Sequence, residues 1–216
     1  ETLFGGHHSI TVTHIIRPGA TFARLTSKAD TILKHSHFDL VVIAGGICDF
    51  TERQIHWKQK YLRYNLSTRT RSAVVEHFSY QVRKARKRIG RKLIIATIVP
   101  ASLNTYFLFH NQTAKSLTKQ VDQEQQALID DIKVVNSTIK ANNKLSGRRT
   151  LDWARFTQRN SKKRKRKGSK QFYTSNAKFS AKCLPDGVHF DRDLQKKCFT
   201  AFESVISSEL ATPRNS

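Results

Sequence analysis

The sequence predicts an α/β fold: a three-layer α/β/α sandwich around a mostly parallel sheet. Three observations carry that expectation. Phe38-Asp-Leu-Val-Val-Ile-Ala-Gly45 and Lys92-Leu-Ile-Ile-Ala-Thr-Ile-Val99 are continuous apolar runs of strand length, the pattern of strands covered on both faces. Apolar residues before, between and after them recur at helical spacing. The chain has 216 residues, enough for one such domain with tails and short for two.

The elements follow in order. Ser9 to Ile16 is β-branched and alternating and reads as a strand, closed by the turn Arg17-Pro18-Gly19. Phe22, Leu25, Ala29, Ile32 and Leu33 mark a helix before the first apolar run. Val74, Val75, Phe78, Val82 and Ala85 mark a second helix, and Pro100 stops the strand after it. Leu117, Val121, Leu128, Ile132, Val135 and Ile139 trace a long helix over about 113–144. Thr150 to Phe156 is expected to be a short strand, and Leu194 to Leu210 a closing helix with Cys198, Phe199, Phe202, Val205 and Ile206 on one face. Strands separated by helical stretches imply crossover connections and a layered sheet. The expected organisation is one domain over 1–158 and 171–211, a basic loop insertion at 159–170 and a disordered tail at 212–216.

Charge sets the partner class. Lys and Arg number 39 against 16 Asp and Glu, a formal net charge of +23. Two clusters dominate: Arg83, Lys84, Arg86, Lys87 and Arg88 on the outer face of the second helix, and Lys162, Lys163, Arg164, Lys165, Arg166 and Lys167 in the insertion. Six consecutive like charges repel one another and suit an exposed loop that meets a polyanion or serves as a nuclear-import signal. Nucleic acid, RNA or DNA, is the partner most simply implied, held through its phosphates. The expected compartment is nuclear or cytoplasmic. No apolar run approaches the ~18 residues of a membrane span. Cys48, Cys183 and Cys198 lack the pairing of a disulfide scaffold or structural zinc site. His7, His8 and His14 have no carboxylate or cysteine at ligand spacing, so neither a metal nor a cofactor is expected. Asn65, Asn111 and Asn136 open glycosylation-type triplets of a kind that arises by chance. The chain begins at Glu1 and contains no methionine, as expected of a processed product or a piece of a longer reading frame.

Three segments resemble the blocks of SGNH/GDSL-type hydrolases. Asp39 to Asp49 is similar to the block in which an apolar strand ends in Gly-X-Asn-Asp, with Cys48 in the asparagine's place. Leu184-Pro-Asp-Gly-Val-His-Phe190 resembles the Asp-X-X-His block before the closing helix. Arg17-Pro-Gly-Ala-Thr21 resembles the block whose glycine amide faces the oxyanion. The resemblance spans nearly the whole chain and implies a flavodoxin-like strand order, 2-1-3-4-5. It also implies that His189 is a general base, Asp186 its orienting carboxylate, and Gly19 and Cys48 the oxyanion positions. Acyl transfer needs those parts together with a hydroxyl nucleophile. The family's Gly-Asp-Ser block has no counterpart: Gly5-Gly-His-His-Ser9 follows no apolar strand. The first strand of the order is therefore missing, or supplied by an upstream segment or a partner chain. Such domains with basic insertions also resemble those in the open reading frames of some retroelements.

Three functions follow. The first is a catalytically degenerate SGNH-like domain that binds nucleic acid through its basic clusters. The second is a serine ester hydrolase whose nucleophile lies upstream of residue 1. The third is a structural component of a nucleoprotein assembly.

Overall fold

A computed structural model describes residues 11–13, 15–64, 70–111, 119–159 and 178–211. At its centre, strands β1 (Val41–Ile43) and β4 (Leu93–Ile95) pair in parallel, with Val41 opposite Leu93 and Ile43 opposite Ile95. Both lie in the apolar runs, and their side chains divide by parity between two cores. Ile43, Leu93 and Ile95 join a cluster built with helices α1 (Phe22–Leu33), α2 (Arg71–Ile89) and α4 (Lys119–Leu145). Val42, Ile94 and Ala96 face Leu151 and, from helix α5 (Arg192–Ala211), Phe202 and Val205. Helices thus cover both faces of the pair, which is why its strands lack alternating polarity.

The helices start where the sequence offers caps. The Thr21 hydroxyl accepts from the Arg24 N–H at the head of α1, and the Thr70 hydroxyl accepts from the Ala73 N–H at the head of α2. Helix α2 buries Val74, Phe78, Val82, Ala85 and Ile89, the face its spacing predicts with one further turn. Helix α3 (Leu103–His110) follows its cap Ser102.

Four features differ from expectation. Residues 11–13 and 15–17 form no strand. In place of a strand at 150–156, residues 151–152 are irregular and Trp153–Thr157 form a 3-10 turn. The edge of β4 that such a strand would join is already occupied. Asn143 of α4 bonds both the N–H and the C=O of Ile95, the Arg86 guanidinium bonds the Leu93 C=O, and the Leu151 C=O accepts from the Thr97 N–H at 2.9 Å. A hairpin, β2 (Thr51–His56) and β3 (Gln59–Tyr64), and helix α3 were not anticipated. The hairpin turns at Trp57-Lys58, both left-handed, without the glycine or asparagine that usually signals such a turn. Helix α3 is apolar nearly all round and gives no period. A short antiparallel pair, β5 (Gln158–Arg159) with β6 (Lys178–Phe179), completes the strands among the described residues.

The other edge of β1 faces a groove of about 160 Å³ lined by Thr13, Ile15, Leu25, Ile32, Val42 and Ala44 among others. Gly5 to Ser9, the Lys162–Lys167 cluster and the 212–216 tail lie outside the described residues.

Candidate functional site

The Asp186–His189 pair sits on the loop ahead of α5. Asp186 Oδ1 accepts from the N–H groups of Val188 (2.9 Å) and His189 (2.7 Å), folding the loop over the carboxylate. Its Oδ2 lies 2.5 Å from His189 Nδ1. Burial works to raise the Asp186 carboxyl, but the bonds from the His189 ring and from both N–H groups outweigh it and hold the group below its ordinary range. The imidazole itself is 74% exposed. Gly187 makes the loop possible. Its φ is +84°, and a Cβ there would meet Ser102 O and Tyr106 N at 2.5 Å. The Gly187 carbonyl in turn accepts from the Ser102 N–H at 2.7 Å, tying the loop to the segment after β4.

Gly19 and Cys48 belong to a second locus. Gly19, at φ +69°, closes a turn in which the Ala20 N–H donates to Arg17 O at 3.2 Å. Cys48 lies in the 3-10 turn Ile47–Asp49 beyond β1. Asp49 joins the two segments, its Oδ2 accepting from the Phe22 N–H at 2.7 Å at the start of α1. Burial lifts Asp49 to about 6, against the lowering pull of that bond. Burial, and then the Asp49 charge, also raise the Cys48 thiol, so it stays protonated near neutrality. The two loci share the main core, against which Ile47 and Val188 both pack. Among the described residues no hydrogen bond links Gly19 or Cys48 to His189.

The arrangement supplies an imidazole and its orienting carboxylate. It supplies no activated nucleophile among the described residues. Ser102, bonded to the dyad loop, is only 5% exposed, and its hydroxyl donates to Thr105 as part of the α3 cap. Cys48 is a neutral thiol.

The basic surface is more selective than the sequence suggested. Arg83, Lys87 and Arg88 are exposed on α2, and half-buried Lys84 lies over the exposed Tyr80 ring. Arg86 is turned inward, a correction to its expected place in the interface. Its guanidinium donates to Asn142 Oδ1 (2.9 Å), Asn143 Oδ1 (3.0 Å), Gly90 O (3.2 Å) and Leu93 O. Burial, with the nearby Arg148 charge, lowers its pKa. It lies on one flank of the apolar face of α2 as Arg88 lies on the other, so helical position alone does not separate the inward cation from the exposed one.

Sequence reasoning missed a second basic surface. A cleft of about 580 Å³ between α5 and the 153–157 turn is lined by Arg155, Lys196, Lys197, Thr200 and Ser204. Asp152 is its one acidic residue among the described residues and is paired with Lys140 at 2.6 Å. The signal was present in the spacing, since 196, 197, 200 and 204 share one helix face. Asn136, which opens a glycosylation-type triplet, is buried and bonds both the N–H and the C=O of Ile98.

Comparison with protein-family models, with curated proteins and with solved structures finds no match for this chain. No helix among the described residues is long and apolar enough to cross a membrane.

Proposed function

We propose that this chain is a catalytically silent SGNH-like α/β domain that binds nucleic acid, RNA or DNA, through its basic surfaces. The observation that carries the reading is the concentration of positive charge, +23 overall, with exposed cations on α2 and a cation-lined cleft at α5. Such surfaces take up a polyanion by releasing its counterions. The silent site follows from a dyad that has no activated nucleophile beside it among the described residues. A nuclear or cytoplasmic compartment accords with such a partner. In this reading the groove beside β1 is where a further strand, from an upstream segment or a partner chain, extends the parallel pair; among the described residues no strand pairs with that edge of β1, and the groove's largely apolar lining supports the placement. Titrating a labelled oligonucleotide with the chain at two salt concentrations tests the proposal. Binding that weakens steeply with salt is expected, and absent binding would refute it.

One observation favours a second reading, a serine ester hydrolase completed by an upstream nucleophile: the bonded Asp186–His189 dyad with its ring open to solvent. Hydrolysis of a short-chain aryl ester by a longer chain, abolished by His189→Ala, would establish it.

A further inference from the structure

The β2–β3 hairpin has features that packing of the domain does not require. Strand β3 is fastened to the body: Tyr61 stacks on Phe107 at 5.0 Å, Arg63 pairs with Glu124, and Tyr64 donates to Asp131. Asn111 clamps the backbone of Lys60, accepting from its N–H at 2.9 Å and donating to its C=O at 2.8 Å. Beyond that clamp the ribbon projects. Ile55 is 74% exposed and Trp57 86% exposed, the two most uncovered large apolar side chains of the ribbon. Trp57 (φ 48°) and Lys58 (φ 63°) hold the turn in the left-handed region without glycine. That conformation is unfavourable for side chains of this size and tends to persist where function needs it. His56 meets the indole edge-on, 5.9 Å between ring centres. Arg53, Lys58 and Lys60 are exposed cations of the same ribbon, with Lys58 in the turn beside Trp57 and Lys60 paired with Ile55, and Glu52 is the ribbon's one carboxylate.

We infer that the tip of this hairpin is a stacking platform for single-stranded nucleic acid, with Trp57 receiving a base and Arg53, Lys58 and Lys60 receiving the flanking phosphates. The inference rests on the nucleic-acid reading above and adds its strand class. A paired base has both faces covered by its neighbours in the duplex, whereas a single strand can turn a base onto an exposed indole. The exposed cations of the ribbon select a polyanion over an apolar partner, and charges along β2 disfavour edge pairing with another sheet.

The chain has two tryptophans, so the test is direct. Trp153 is partly buried against Phe190, and its Nε1 has no hydrogen-bond partner, so Trp153→Phe removes no bond and leaves Trp57 as the sole indole. In that variant an oligothymidine of about 15 nucleotides should quench the fluorescence, and a duplex of the same length should not. Trp57→Ala in the otherwise unaltered chain should weaken oligothymidine binding roughly 5- to 150-fold, as loss of one stacked base predicts. Trp57→Phe should recover most of the loss, and duplex affinity should stay within about twofold. Equal losses for single strand and duplex, or no loss for either, would overturn the platform while leaving the nucleic-acid reading intact. No binding of either by the unaltered chain would overturn both.

Discussion

Asn143 stands in for a β-strand on the outer edge of Ile95. Its Nδ2 donates to the Ile95 carbonyl at 2.8 Å, its Oδ1 accepts from the Ile95 N–H at 3.2 Å, and the residue is wholly buried. Helix α4 repeats the device twice. Asn136 bonds Ile98 N and O at 2.7 and 2.9 Å, and Gln125 bonds Leu103 N and Ala101 O at 2.8 and 2.9 Å. A buried backbone edge must find partners, and here a helix provides them as carboxamides.

Asn143→Leu should therefore destabilise the fold well beyond a surface change. It strands both backbone groups of Ile95 and removes an acceptor from Arg86, a loss of about 2–4 kcal/mol. Urea denaturation measures it; a change below about 0.5 kcal/mol would contradict the role assigned to the side chain.

Arg86 and its neighbours on α2 should separate into two classes. Arg86→Gln should lower stability by about 2 kcal/mol through its unpaired carbonyl partners. Replacing Arg83, Lys87 and Arg88 together with Gln should leave stability within about 1 kcal/mol. It should instead weaken oligonucleotide binding and flatten its salt dependence by up to about three counterions. Parallel denaturation and binding titrations check the pair.

Much of this was legible in the sequence and part was not, for identifiable reasons. The apolar runs gave β1 and β4 because burial on both faces leaves an uninterrupted hydrophobic signature. Helical spacing gave α1, α2 and α5, and most of α4. Asp186 and His189 were legible as a pair because three residues and an intervening glycine bring them together locally. The strand expected near Leu151 failed for a tertiary reason: Asn143, 48 residues from Ile95, had taken the hydrogen bonds. Nothing local distinguishes such an asparagine from a solvated one. Arg86 misled in the same way, since a run of cations does not announce which member turns inward. The hairpin was hidden by its Trp57-Lys58 turn.

Asp49 should give stability a pH dependence of defined sign. Its folded pKa, about 6, lies above the ordinary 3.8, so the folded state binds a proton more readily. This contribution is fully present below about pH 4 and is lost as pH rises through 6. Asp49→Asn keeps an acceptor for the Phe22 N–H and should remove that slope. The difference in unfolding free energy between the chain and the variant, followed from pH 4 to 7, should change by order 2 kcal/mol. A flat difference would show that Asp49 is not held in this environment.

Gly187→Ala should disrupt the dyad loop, because its Cβ would collide with backbone atoms and its φ is left-handed. A loss of about 2–4 kcal/mol is expected, together with loss of the His189–Asp186 contact as read by the His189 ring resonances. Unchanged stability and ring resonances would contradict the loop geometry.

The central claim is that exposed cations bind a nucleic-acid backbone, and the salt dependence of that binding tests it most directly. With a labelled single strand between about 50 and 300 mM salt, log Kobs against log salt should fall with a slope steeper than about −3. A slope near zero, or no binding at the lowest salt, would contradict it.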